Sequence, residues 1–246
     1  MKKTVVKYIY ISVILILALL FVAKFAGVAI LKAYVTTGIG DCRTMPVLCV
    51  IPDKEVINME IDRAHVDELL LYQLPGINIS IPRGFTVIKG KVTKVYYKRK
   101  RFDADSPVIY LLYQKPKFFV NLYPYLARQG ITDNYRFVSR TMYARPENIN
   151  GITDAFFVIM KAVFTPDIGD QEDIGMVKFN YPDKRGFITY NLTPLENYFD
   201  CDVIAADDSF CKVYIKDRKA ALGLRDVLTI ISTMEISDIP VAETAN

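Results

Sequence analysis

From Tyr8 to Ala23 the chain runs sixteen residues without a charge, and after Lys24 the apolar run resumes from Phe25 to Leu31. As a helix the first stretch spans about 24 Å, short of a bilayer core of about 30 Å, whereas Tyr8–Leu31 spans about 36 Å and crosses with some tilt. Lys24 lies past the centre, from where its stem can snorkel outward. Its cost of about 2.5–3.5 kcal/mol at mid-bilayer is outweighed by the Leu, Ile, Val and Phe side chains, each worth about 0.3–0.6 kcal/mol. The pattern predicts a transmembrane anchor over residues 8–32 behind a basic segment, residues 1–7. A second reading makes Lys2–Lys7 the n-region of a removable signal peptide with Gly27-Val28-Ala29 as its cleavage site. Neither Cys42, preceded by Asp41, nor Cys49, preceded by Leu48, has the small residue before it that lipid attachment requires.

Downstream the periodicity changes. Residues 33–75 read as a juxtamembrane stalk: Tyr34–Val56 carries Gly38, Gly40, Pro46 and Pro52 without a period, and Glu60–Gln73 has the apolar spacing of a short helix. Ile77, Ile79 and Ile81 then alternate with polar neighbours, and Phe85–Ile88, Val92–Tyr97 and Pro107–Tyr113 are further strands. Tyr135, Val138 and Met142 recur at helical spacing behind a Thr132-Asp133 cap, with Pro146 beyond the end. Asp154–Phe164 is apolar nearly all round, broken by Lys161, and predicts a helix buried on more than one side or covering an interface. Two hairpins follow, Met176–Asn180 with Phe187–Asn191 and Tyr198–Ile204 with Phe210–Lys216. Leu222–Met234 closes the pattern as an amphipathic helix. Strands grouped apart from helices predict an α+β fold over residues 76–236, an antiparallel sheet covered by helices as a sandwich, with residues 237–246 as a tail.

Charge changes the picture of where this domain works. The positive-inside rule leaves the N-terminus in the cytoplasm and the rest outside an inner or plasma membrane, as a single-pass protein or, if cleaved, a secreted one. Lys2, Lys3, Lys7, Lys24 and Lys32 belong to the anchor, which leaves 26 basic residues against 27 acidic ones. The net charge of +4 is therefore the anchor's, and nucleic acid is not an expected partner.

The segment Ile79-Ser80-Ile81-Pro82-Arg83-Gly84-Phe85 resembles the I-x-I-P-x-G-aromatic start of the PsbP/Mog1-like α/β/α sandwich domains. The later order of helices, two hairpins and a closing helix ending Ile230-Ile231-Ser232-Thr233 is similar too, over about residues 77–236. The resemblance implies a sandwich fold and a non-enzymatic accessory or assembly role. Bacterial members are often exported lipoproteins, and this chain departs from them in having a membrane segment and no lipidation site.

Candidate chemistry is sparse. The four cysteines form two close pairs, Cys42 with Cys49 and Cys201 with Cys211, which in an oxidising compartment suggests two local disulfides, although three connectivities are open. Neither spacing is CxxC, and no metal or cofactor site is expected. His65 is the chain's single histidine, which excludes HExxH zinc chemistry and disfavours a serine triad; no Walker A or dinucleotide fingerprint occurs. Lys89, Lys91, Lys94, Lys98, Arg99, Lys100 and Arg101 form the densest basic cluster, and Lys94, Lys98, Arg99, Lys100 and Arg101 are the expected partner surface, with Tyr96, Tyr97, Phe118, Phe119, Tyr123 and Tyr125 nearby. A lysine-protected edge strand and an ordinary aromatic core account for the same residues. Asp167, Asp170, Glu172 and Asp173, and Asp200, Asp202, Asp207 and Asp208, read as solvated acidic loops without calcium-loop spacing. Together these point to a non-catalytic membrane-anchored binding or assembly module with an envelope protein as its partner. The alternatives are an envelope-polymer hydrolase using a carboxylate pair and a structural subunit of an envelope machine.

Overall fold

The computed structural model describes residues 2–57, 69–74, 76–83, 86–89, 94–98, 108–165, 173–218 and 222–236. The chain divides into two compact units: residues 1–49 with 144–163, and residues 50–143 with 164–246.

The first unit is built on helix α1, Lys2–Gly38. Its stretch Val13–Gly38 is long and apolar enough to cross a membrane or to serve as a signal sequence, and its most apolar window buries nothing. Leu15, Leu19, Phe21 and Phe25 are each more than half exposed. The end of the helix packs: Val35 and Leu31 join Leu48, Ile149, Ala155 and Val158 in a small apolar cluster. The chain leaves the helix through Gly40, whose φ of +128° few side chains tolerate. Asp41 then fixes a tight turn, accepting from the backbone N–H groups of Arg43 at 2.9 Å and Thr44 at 3.0 Å, and these bonds hold its carboxyl below the usual range. Cys42 and Cys49 follow with their sulfurs at disulfide distance and their Cα atoms 5.5 Å apart, across the short 3₁₀ turn Pro46–Leu48. The expected Cys42–Cys49 pair is thus present.

Helix α4, Ile152–Phe164, contributes all but its last residue to this unit. Lys161, the one polar interruption of its apolar run, is not on the surface: it is fully buried, and its amine donates to the carbonyls of Leu48 at 3.3 Å and Ala144 at 3.0 Å. Burial pushes that amine down to about 7, with Arg145 adding to the effect.

The second unit holds an eight-stranded sheet in the order β1-β7-β8-β9-β10-β6-β5-β4 and a three-stranded sheet in the order β11-β3-β2. The strands are β1 Lys54–Ile57, β2 Leu69–Leu74, β3 Ile77–Pro82, β4 Thr86–Lys89, β5 Lys94–Lys98, β6 Val108–Gln114, β7 Ile174–Asn180, β8 Lys184–Leu192, β9 Asn197–Ala205, β10 Phe210–Asp217 and β11 Glu235–Ile236. The large sheet is mixed rather than antiparallel throughout, because β1 pairs with β7 in parallel, Val56 opposite Phe179. Lys54–Ile57, expected within an irregular stalk, thereby becomes a strand. Leu69–Leu74, expected as the end of a helix, instead pairs antiparallel with β3, Leu70 opposite Ile81, across a turn that includes Gly76 with φ +78°. Ladder bonds to β3 outweigh a helical spacing that rested on few apolar positions. The remainder of that predicted helix, with His65, lies outside the described residues.

Alternation assigns the two faces of the large sheet. Phe199, Cys201 and Val203 of β9 and Cys211, Val213 and Ile215 of β10 share a core with Ile77, Ile79 and Ile81 of β3 and with Val227, Leu228, Ile230 and Ile231 of helix α5, Leu224–Ser232. The α5 N-terminus is tied by the Gly223 N–H donating to the Asp226 carboxylate at 2.7 Å. Helices α2, Phe118–Leu122, and α3, Asn134–Met142, belong to the opposite face. There Phe119 stacks on Phe137 at 4.4 Å and meets Phe164 and Phe210 at 5.4 and 5.1 Å. The expected Cys201–Cys211 bridge is absent; both are separate buried thiols. Register explains why: Cys201 stands opposite Val213 and Cys211 opposite Val203, a diagonal pair. Diagonal neighbours lie about 7–8 Å apart, beyond the ~3.8 Å between Cβ atoms that a bridge needs.

A cation–aromatic face and a buried ion cluster

Helix α3 begins where Asp133 accepts from the Arg136 N–H at 2.7 Å, the cap the sequence predicts. Phe137, Val138, Thr141 and Met142 are buried, which turns Arg136, Ser139, Arg140 and Tyr143 outward. Its seat on the sheet is β8. Phe187, fully buried, lies parallel to the Tyr135 ring at 6.1 Å and edge-on to Tyr143 at 6.1 Å. Arg185, two residues earlier on β8, lays its guanidinium 3.7 Å over Tyr135. Lys178, opposite Phe187 in register, pairs with Glu55 at 2.8 Å; that bond, with the two tyrosines, raises its amine.

Gly130, Ile131, Tyr135, Arg136, Ser139, Arg140 and Tyr143 line an open depression of about 420 Å³ on this helix. None of the seven is acidic. Asp133 engages Arg136 at 3.4 Å beside it. The chemistry on offer is planar guanidinium donors next to tyrosine rings, suited to carboxylate or phosphate groups on an extended ligand. An open trough of this kind does not enclose a small molecule as a cofactor pocket does.

The second constellation lies on the same face of the sheet, at its centre. Asp200 and Asp202 of β9 are 2% and 1% exposed, and both turn to Lys212 of β10, whose ammonium lies 2.6 Å from Asp200 Oδ1 and 3.2 Å from Asp202 Oδ1. The same ammonium donates to the Phe164 carbonyl at 2.7 Å and sits 4.9 Å from the Phe164 ring. Thr189, opposite Asp200 on β8, is buried, and among the described residues neither its hydroxyl nor Asp202 Oδ2 has a hydrogen-bond partner. Burial pushes the Asp200 carboxyl up to about 7 against the opposing pull of Lys212, and raises Asp202 likewise. The two carboxylates raise Lys212 to about 12 over the opposing effect of burial. One cation serves two acids, and one proton completes the neutralisation.

These positions revise the sequence expectations for the acidic hairpin. Asp200 and Asp202, expected in a solvated loop, are strand residues of the interior. Asp208 does sit in the turn, with φ +71°, but its carboxylate accepts from Lys117 N–H at 3.0 Å and Asn134 N–H at 2.8 Å, so it ties the hairpin to the starts of α2 and α3. Fully buried Asn134 completes the tie by donating to the Asp208 carbonyl at 2.6 Å and accepting from Phe119 N–H at 3.0 Å.

Of the expected partner surface, Lys94 and Lys98 fall on β5, opposite Leu112 and Val108 of β6. Arg99, Lys100 and Arg101 lie outside the described residues, as do Asp167, Asp170 and Glu172. Phe119 is core, and Tyr123 stacks on Phe137 at 5.7 Å. The face formed by Tyr135, Arg136, Arg140, Tyr143 and Arg185 does not follow from the apolar spacing of α3. Its one sequence signal was Arg136, Arg140 and Tyr143 recurring at helical spacing of four and three on the polar side of that helix.

Compared with known protein families and with curated proteins, the sequence matches no family model and no curated sequence.

Proposed function

We propose that this protein is a single-pass, membrane-tethered binding module whose α3–β8 face engages an anionic partner of the cell envelope. The observation that carries the tether is α1. Its large apolar side chains from Val13 to Phe25 are about half exposed or more, and the most apolar window of the helix buries nothing, which is costly in water and satisfied in lipid. The lysines at its start favour an N-terminus inside and the domain outside. The layering of helices on both faces of the large sheet supports the sandwich likeness suggested by the Ile79–Phe85 motif, and with it a binding or assembly role.

The rival reading, a hydrolase with a carboxylate pair, would draw on Asp200 and Asp202. Their burial and shared lysine suit a structural ion cluster better than an acid and base that must reach a polymer. For the module reading the experiment is binding of full-length protein, in nanodiscs of zwitterionic lipid, to poly-glutamate and to polyphosphate across a salt series. Binding that weakens with salt, and that Arg136→Gln/Arg140→Gln/Arg185→Gln abolishes, is expected. No binding, or binding indifferent to the triple substitution, refutes the assignment of this face.

A further inference from the structure

Two sulfurs and one carboxylate oxygen converge in the first unit. Glu147 is held from two sides: its carbonyl accepts from Lys32 Nζ at 2.7 Å, and its Oε1 pairs with Arg145 Nη2 at 2.6 Å. Its other oxygen, Oε2, is thereby aimed at the cysteine pair and stands 3.8 Å from the Sγ of Cys42 and 3.8 Å from the Sγ of Cys49. The three ligand atoms lie within 4.8 Å of one another.

That arrangement does nothing for a disulfide, whose sulfurs carry no hydrogen for the carboxylate to accept. It suits the reduced pair. Two ligands of a tetrahedral zinc ion, a thiolate at about 2.3 Å and a carboxylate oxygen at about 2.1 Å, lie about 3.6 Å apart. Both sulfur–oxygen separations here are 3.8 Å. The Cα separation of 5.5 Å leaves room for the sulfurs to part. Arg145 on Oε1 is the outer-shell partner that a ligating carboxylate ordinarily has.

We propose that Cys42, Cys49 and Glu147 form a three-ligand site for a zinc-type divalent cation when the Cys42–Cys49 bridge is reduced, so that the bridge is a redox gate on metal binding. Opening the gate consumes two equivalents of a thiol reductant: the protein S–S bond breaks, the reductant's own disulfide forms, and each cysteine keeps one proton. The cation then replaces those two protons, which pass to solvent. Two thiolates and a carboxylate leave the fourth position to water or to an incoming ligand, and their excess negative charge faces Arg145 and Lys32.

The test uses full-length protein in detergent, reduced with a phosphine under argon and titrated with Co²⁺. The expected result is a thiolate-to-cobalt charge-transfer band that saturates at one ion per chain, is displaced by Zn²⁺, and persists in Cys201→Ala/Cys211→Ala. Oxidised protein shows no band, and Cys42→Ser loses it. Glu147→Gln, an exposed substitution that leaves both thiols in place, binds at least about tenfold more weakly, and Arg145→Gln loses about 10–100-fold through the outer shell. No band in the reduced wild type, a band that vanishes in Cys201→Ala/Cys211→Ala, or Glu147→Gln binding as tightly as wild type would each overturn the site.

Discussion

Replacing Lys212 with Met isolates the energetics of the buried ion cluster. Its ammonium contributes contacts of 2.6 and 3.2 Å to two carboxylates that are 2% and 1% exposed. At an effective dielectric of about 20 these attractions are worth ~6 and ~5 kcal/mol, and burying each ion costs several kcal/mol, so the intact cluster nets little. Removing only the cation is a different matter. It leaves two acids without their counter-charge, and breaking a buried pair this way costs about 3–5 kcal/mol. Met keeps the length and apolar character of the stem, so cavity formation adds little.

For a chain of this size each kcal/mol moves the melting temperature by about 2–4 °C, so a loss of roughly 6–20 °C is expected at pH 8. The signal is the near-ultraviolet circular dichroism of the protein's tyrosines, which no tryptophan obscures. Two further conditions distinguish lost charge balance from lost packing. At pH 5 both acids of the variant take up protons, and the deficit shrinks. Asp200→Asn/Asp202→Asn/Lys212→Met, which removes all the charges together, recovers most of the loss. A Lys212→Met deficit under about 1 kcal/mol at pH 8, or one equal at both pH values, refutes the charge-balance argument.

Asp200 is raised from 3.8 to about 7, so its contribution to stability is fully present below pH 4 and is lost as pH rises through 7. The melting temperature of the wild type should therefore fall between pH 4 and 7 relative to Asp200→Asn, whereas parallel profiles would show that Asp200 does not hold the proton. Gly186→Ala should cost about 1–3 kcal/mol, because a Cβ there runs into the Asp202 carbonyl across the β8–β9 ladder and into the Phe179 ring; a denaturation midpoint equal to that of wild type would contradict the close approach. Asp208→Ala removes the acceptor for the Lys117 and Asn134 N–H groups and should destabilise by about 2 kcal/mol, while Asp207→Ala, which loses bonds to its neighbour Ser209 within the turn, should cost less than half as much. The reverse order in a urea titration would remove Asp208 as the tie.

The elements that could be read from the sequence are those whose period is local. Ile77–Ile81, the two C-terminal hairpins, the Asp133 cap and the closing helix each announce themselves within about ten residues, and the structure keeps them nearly where periodicity puts them. The misses depended on pairing at a distance. Lys54–Ile57 is a strand because β7, more than a hundred residues away, offers it an edge. Leu69–Leu74 is a strand because β3 does. Asp200 and Asp202 looked like a solvated hairpin because acids normally are; their interior position follows from β9 being paired on both sides, with Lys212 arriving from β10. The cysteine pairs make the same point. Cys42 and Cys49 meet through one local turn, whereas Cys201 and Cys211 depend on the register of two strands, and a two-residue offset separates them. Arg185 over Tyr135 joins residues fifty positions apart, which no local spacing can reveal.

The most direct measurement on the central claim, a domain held at the membrane by an intact α1, is the intact mass of the membrane-extracted protein after thiol alkylation without prior reduction. Full-length mass is expected, with Cys42 and Cys49 protected as a bridge and with Cys201 and Cys211 taking label only once the protein is unfolded. A mass truncated near Ala29 would remove the tether, and four cysteines labelled without reduction would contradict both the bridge and the export of the domain.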